Sequence, residues 1–154
     1  MQNFRISCLA LLGLLMLLFS GQKSFGQRFN PDEVLGQWTD EGKTVIIELY
    51  RVGRQYSGRI VWTRDSVDRR TGLPRRDIMN SDPKLRHRKV VGSNMVSGFE
   101  YCGDLYFDKG RVYDVNTGYT YSGNCTVVNH STLAVRGYIL FTIFGRTEIL
   151  TRVK

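Results

Sequence analysis

From Leu35 onward the apolar residues return at every second position, and small or polar residues interrupt them at short intervals. A period of two is that of a strand with one dry and one wet face. Tyr56, Gly58, Ile60 and Trp62 share one face, while Ser57, Arg59, Val61 and Thr63 share the other. Tyr119, Tyr121, Cys125 and Val127 likewise oppose Thr120, Ser122, Asn124 and Thr126, and Leu133, Val135, Ile139 and Phe141 oppose Ala134, Arg136, Tyr138 and Leu140. Turns are expected at Asp40-Glu41-Gly42-Lys43, Val52-Gly53-Arg54-Gln55, Val115 to Gly118 and Asn129-His130-Ser131-Thr132. The pattern predicts eight strands, over 35–40, 44–51, 56–63, 90–97, 105–114 with a break, 119–128, 133–141 and 143–152. Such a chain reads as all-β, an eight-stranded antiparallel up-and-down barrel, which is filled by side chains or holds one small ligand. A two-sheet sandwich is the alternative that the same alternation permits. Gly58, Gly123 and Gly137 fall on inward faces, where a barrel strand bends and any Cβ would crowd the interior.

Ahead of the first strand, Asn30-Pro31-Asp32-Glu33 offers a cap, a proline at the first helical position and two acids at the positive end of a short helical turn. Gly36-Gln37-Trp38 follows, and Arg152 stands near the far end of the chain. In a closed barrel the indole of Trp38 plugs one end and the guanidinium of Arg152 lies across it, a pairing worth about 0.5 to 2 kcal/mol. Gly36, Trp38 and Arg152 are therefore expected to close the barrel structurally.

Arg5 precedes an apolar run from Ile6 to Phe19 that Ser20 and Gly21 end, which is the pattern of a signal peptide. The run is short for a membrane span of about twenty residues. Ser24-Phe25-Gly26 supplies small residues for cleavage, so residues 1–26 read as the leader and 27–154 as one exported barrel domain, periplasmic or extracellular. No Cys stands just after the apolar run, which argues against a lipid anchor. Export places Cys102 and Cys125 in an oxidising compartment, where they are a candidate disulfide pair.

The chain carries 22 Lys and Arg against 14 Asp and Glu, and the excess is concentrated: Arg64 to Lys89 holds nine basic residues against Asp65, Asp68, Asp77 and Asp82. A connection this long without periodicity is unusual in a small domain and is a natural place for function. Its candidate residues are Arg75, Arg76, Asp77, Asn80 and Asp82. The bland reading weighs more: the short polar side chains suit turn chemistry, and the basic ones a solvated face. No nucleic-acid motif accompanies the charge, so nucleic acid is not an expected partner; an anionic membrane surface or an acidic partner fits an exported chain.

Catalysis finds little footing. His87 sits in the basic run and His130 in a turn, no Ser lies in a Gly-x-Ser-x-Gly elbow, and neither zinc nor calcium spacing is present. No metal or cofactor is expected. The inward aromatics Tyr56, Trp62, Tyr119, Tyr121 and Phe141 are the candidate lining of a pocket for a small hydrophobic or amphipathic molecule, unless they simply fill the barrel.

The helical entry, Gly36-x-Trp38, the meander and Arg152 resemble the calycin group, which includes lipocalins, fatty-acid-binding proteins and avidins. A closer resemblance runs through the chain in order: Gly58-Arg59-Ile60-Val61-Trp62, Gly72-Leu73-Pro74, Asp77-Ile78-Met79-Asn80-Ser81-Asp82-Pro83, Gly110-Arg111-Val112-Tyr113-Asp114, Gly118-Tyr119-Thr120-Tyr121 and Arg136-Gly137-Tyr138. These are similar to the motifs of an uncharacterised family of exported bacterial proteins, a domain of unknown function (2147) grouped with calycin-like barrels. The resemblance implies export and a barrel, and it brings no catalytic residue. Glu148-Ile149-Leu150 departs from it, standing where an aromatic residue is commoner before Thr151-Arg152.

Overall fold

The computed structural model describes residues 30–138 and 146–154. The expected leader, the expected ends of the last two strands and Phe141 lie outside the described residues. Strands β1 (Gly36–Asp40), β2 (Val45–Val52), β3 (Gln55–Thr63), β4 (Asn94–Gly103), β5 (Tyr106–Tyr113), β6 (Thr120–Asn129), β7 (Thr132–Tyr138) and β8 (Arg146–Arg152) form a closed barrel in sequence order. Every neighbouring pair is antiparallel, and β8 returns to β1 through Trp38 opposite Arg152, Thr39 opposite Thr151 and Asp40 opposite Leu150. The fold expected from the alternation is the one observed, and among the described residues closure gives each strand two neighbours.

The fourth strand departs from the expected 90–97. Val90 is buried in the connection before the strand, where its N–H bonds the Arg75 carbonyl at 3.0 Å, and β4 begins only at Asn94. It then runs through Gly98, whose φ of +72° lies in the left-handed region that glycine tolerates. The β3 register slips between Tyr56 and Gly58 at this level, a bulge that keeps Phe99 in the core.

One end of the barrel is sealed by a 3-10 turn, Pro31–Val34, capped by the Asn30 side chain, which accepts from the Asp32 N–H at 3.0 Å. Trp38 is fully buried beneath it and donates from Nε1 to the Val34 carbonyl at 2.9 Å. Arg152 lies over the indole with its guanidinium carbon 4.1 Å from the ring centroid. Its Nε donates to the His130 carbonyl at 2.7 Å, Nη1 to Leu35 at 2.7 Å and Nη2 to Glu33 at 2.5 Å. A side chain at Gly36 would stand 2.9 Å from Nη1, and its φ of +113° excludes most other residues as well.

The core is filled from strand to strand by Trp38, Phe99, Phe107, Ile60 and Leu133. Glycines make the room. A Cβ at Gly58 would come 2.6 Å from Leu49, one at Gly123 would come 2.9 Å from Val112, and one at Gly110 would overlap the Phe99 ring. Gly137 was expected to share this role and does not: a Cβ there meets Tyr121 only at 3.8 Å, an ordinary contact.

Candidate functional site

The plugged end leaves the opposite end of the barrel, where β3 hands over to the long connection 64–93 and β5 to residues 114–119. The connection is ordered by its own polar groups. Asp68 accepts from the N–H groups of Arg70 at 2.8 Å and Thr71 at 3.1 Å, and short bridges join Val67 to Pro74 and Arg76 to Lys89. Asp82 caps a second 3-10 turn, Pro83–Leu85, by accepting from the Lys84 N–H at 2.9 Å.

Asp77 and Asn80, two of the candidates from sequence, come together at the centre of this connection, with Asp77 wholly buried. The Asp77 carboxylate accepts from Tyr113 Oη on β5 at 2.5 Å, from Asn80 Nδ2 at 2.8 Å and from Arg88 Nε at 2.9 Å, with Arg88 Nη2 at 2.8 Å. Arg88 also lies over the Tyr113 ring at 5.4 Å. Burial alone would raise the Asp77 carboxyl, but the hydrogen bonds from Tyr113, Asn80 and Arg88, with the Arg88 charge, hold it below the ordinary carboxylate value. Burial and the same carboxylate push the Tyr113 phenol up to about 12. The cluster is a latch that fastens the connection to the barrel, with its carboxylate wholly buried.

The latch inverts the usual order of inside and outside. The Asn80 N–H bonds the Asp77 carbonyl at 3.1 Å, closing a turn whose corners are Ile78 and Met79, and these stand 68% and 53% exposed. Val67 and Leu73 are exposed beside them. Together with Arg69, Arg75 and Arg76 they line an open groove of about 790 Å³ that Val115 and Asn116 complete.

The arginines expected to reach for an acidic partner are mostly engaged at home. Arg75 donates to Asn116 Oδ1 at 2.7 Å, Arg76 to the His87 carbonyl at 2.7 Å and Arg86 to the Asn80 carbonyl at 2.8 Å, while Arg69 pairs with Asp65 at 3.1 Å. Asp82 faces Lys84 rather than the groove.

Among the described residues the barrel interior does not offer the pocket expected of it. Tyr56 is buried, meets Phe107 edge-on at 5.0 Å and donates from Oη to Asp32 at 2.9 Å, so it belongs to the packed floor. Trp62, expected inside, is 43% exposed, because β3 carries an extra residue: Ile46 and Ile47 oppose Trp62 and Ile60, leaving Val61 as a bulge that turns the indole outward. Tyr119, also expected inside, is 66% exposed because it precedes β6 and lies beyond the wall. Tyr121 is half-buried at the rim, and Phe141 lies outside the described residues. Among the described residues, the space between Leu49, Val96, Phe99, Phe107, Cys125 and Leu133 is about 10 Å³, room for at most a single water.

Cys102 and Cys125 do not pair. Cys125 is inside opposite Phe107, while Cys102 is exposed beside Tyr101 on the outer face, so the barrel wall stands between the thiols. Burial raises the Cys125 thiol to about 12. Among the described residues no group of three or more His, Cys, Asp and Glu is gathered as metal ligands would be.

Sequence reasoning named Asp77 and Asn80 but missed Ile78 and Met79. The signal was an apolar pair between two short polar residues inside a loop, where solvent would ordinarily select the reverse. It also missed Gly118, whose φ is +76° and whose absent side chain lets the Met79 carbonyl press against it.

Residues 36–152 match the family described as "Uncharacterized protein conserved in bacteria (DUF2147)". Among solved structures, protein HP1028 from the human pathogen Helicobacter pylori, described as belonging to the lipocalin family, is 19% identical and has a TM-score of 0.64. The similarity covers 77% of this chain and 80% of that one, and at such identity it is a likeness of fold. No curated protein matches the chain.

Proposed function

The chain belongs to the DUF2147 family of uncharacterised bacterial proteins, and we propose that it is an exported, non-catalytic binder of a small amphipathic molecule. The contrast between the barrel interior and the unplugged end carries the reading. The interior that was expected to hold the ligand has about 10 Å³ free among the described residues, whereas the groove at the unplugged end has about 790 Å³. A volume of several hundred Å³ is what a small ligand needs. Val67 and Leu73 supply an apolar floor for a chain or ring, and the Arg75 guanidinium at the rim suits a carboxylate or phosphate head. Export rests on the leader pattern of residues 1–26.

Titration calorimetry and native mass spectrometry with a panel of monomeric fatty acids and lysophospholipids test this. A one-to-one complex is expected with the anionic members, weakened about tenfold, or about 1.4 kcal/mol, by Leu73→Ser or Val67→Ser. No uptake from the panel would overturn the reading. So would uptake that ignores both substitutions yet is lost in Leu49→Phe, since that ligand would sit in the barrel.

A further inference from the structure

Ile78 and Met79 edge the groove with Val67 and Leu73, and the direction in which they are held is the feature left to explain. Of the four consecutive residues Asp77 to Asn80, the two polar ones are buried and the two apolar ones stand in solvent. Three hydrogen-bonding partners from two separate segments maintain that inversion. Residues 114–119 support it from beneath, where Gly118 adjoins the Met79 carbonyl. The next residue, Tyr119, adds an exposed aromatic ring to the same end.

The connection that carries this apex holds nine basic residues against four acids. Each of the four acids of the connection is occupied: Asp77 is buried on Arg88, Asp65 pairs with Arg69, Asp68 accepts from its own turn and Asp82 caps Pro83–Leu85. Arg70, Lys84 and Lys89 are exposed and make no ion pair among the described residues. An exposed apolar apex on a connection with nine basic residues against four acids matches an anionic bilayer, whose acyl boundary takes the side chains while its head groups take the charges.

We propose that the turn Ile78–Met79 is a membrane-insertion tip that docks the unplugged end of the barrel on an anionic lipid surface. The groove then opens toward the bilayer, which is the natural source of an amphipathic ligand. This placement extends the proposed function, but docking does not require it: a tip can insert whether or not the groove loads.

The protein as cells produce it, with the state of its leader read by intact mass, would be cosedimented with vesicles of equal parts phosphatidylglycerol and phosphatidylcholine. Binding is expected to fall at least tenfold in Ile78→Ser/Met79→Ser, to weaken as salt rises, and to be unchanged in Val128→Ser, which removes an exposed apolar residue from the outer wall of β6. A tryptophan introduced by Ile78→Trp should be quenched by brominated acyl chains beyond the quenching seen in the parent protein, a readout that a retained leader cannot imitate. Unchanged binding in the double variant, or no added quenching at position 78, overturns the proposal. It is equally overturned if Ile78→Ser/Met79→Ser abolishes a concentration-dependent dimer and vesicles bind nothing, because the tip would then meet a second copy. Vesicle binding that needs Ile78 and Met79, without uptake of monomeric amphiphiles, sustains the tip and refutes the groove.

Discussion

The guanidinium of Arg152 serves three main-chain carbonyls and covers one indole, so its removal strips four partners at once. Arg152→Ala should lower stability by about 2 to 4 kcal/mol, read as a shift of the urea midpoint at constant slope. Arg152→Lys should recover less than half, since one ammonium cannot reproduce the fork. Asp77 gives a second test at this scale. Its carboxyl is held below the ordinary value of 3.8, so its contribution is whole at neutral pH. That contribution begins to fade as the pH falls to the unfolded carboxyl's value, and is gone below the lowered one. Asp77→Asn should flatten this part of the acid limb of stability against pH and leave the connection more open to proteolysis at pH 7. The Trp38–Arg152 pairing was legible in sequence because Gly36-x-Trp38 and the closing strand encode it directly. The exposure of Ile78 and Met79 was not, because the burial of Asp77 depends on Tyr113, thirty-six residues away.

Strands carry their own message, and most of it lay in the alternation. The extent of β2, β3 and β6 was readable to within a few residues wherever the two-residue rhythm ran unbroken. It failed at bulges. One additional residue reverses every face beyond it, which is why Trp62 was placed inside and is found outside. Gly98 hid the continuation of β4 in the same way, its left-handed backbone reading as an end rather than a bend. Glycine also sets how closely strands can pack, and there the structure discriminates where the sequence could not. Gly110→Ala should destabilise by about 1 to 3 kcal/mol or more in thermal or urea unfolding, since the new methyl must displace the Phe99 ring. Gly137→Ala, by contrast, should be tolerated within about 1 kcal/mol in the same measurement.

At the level of the whole molecule, the barrel has one end locked by packing and the other dressed by a connection rich in charge. The barrel itself was legible, because strand count and period constrain closure. Whether its interior was hollow was not, because that depends on how Phe99, Phe107 and Leu133 share volume from three different strands. The polarity of the two ends has a practical bearing. Val153 leaves the barrel by donating its N–H to the Gln37 carbonyl at 2.9 Å, at the locked end, and the described chain also begins there at Asn30. An affinity handle or surface tether joined beyond Lys154 therefore orients a whole monolayer of molecules with their grooves facing the solution.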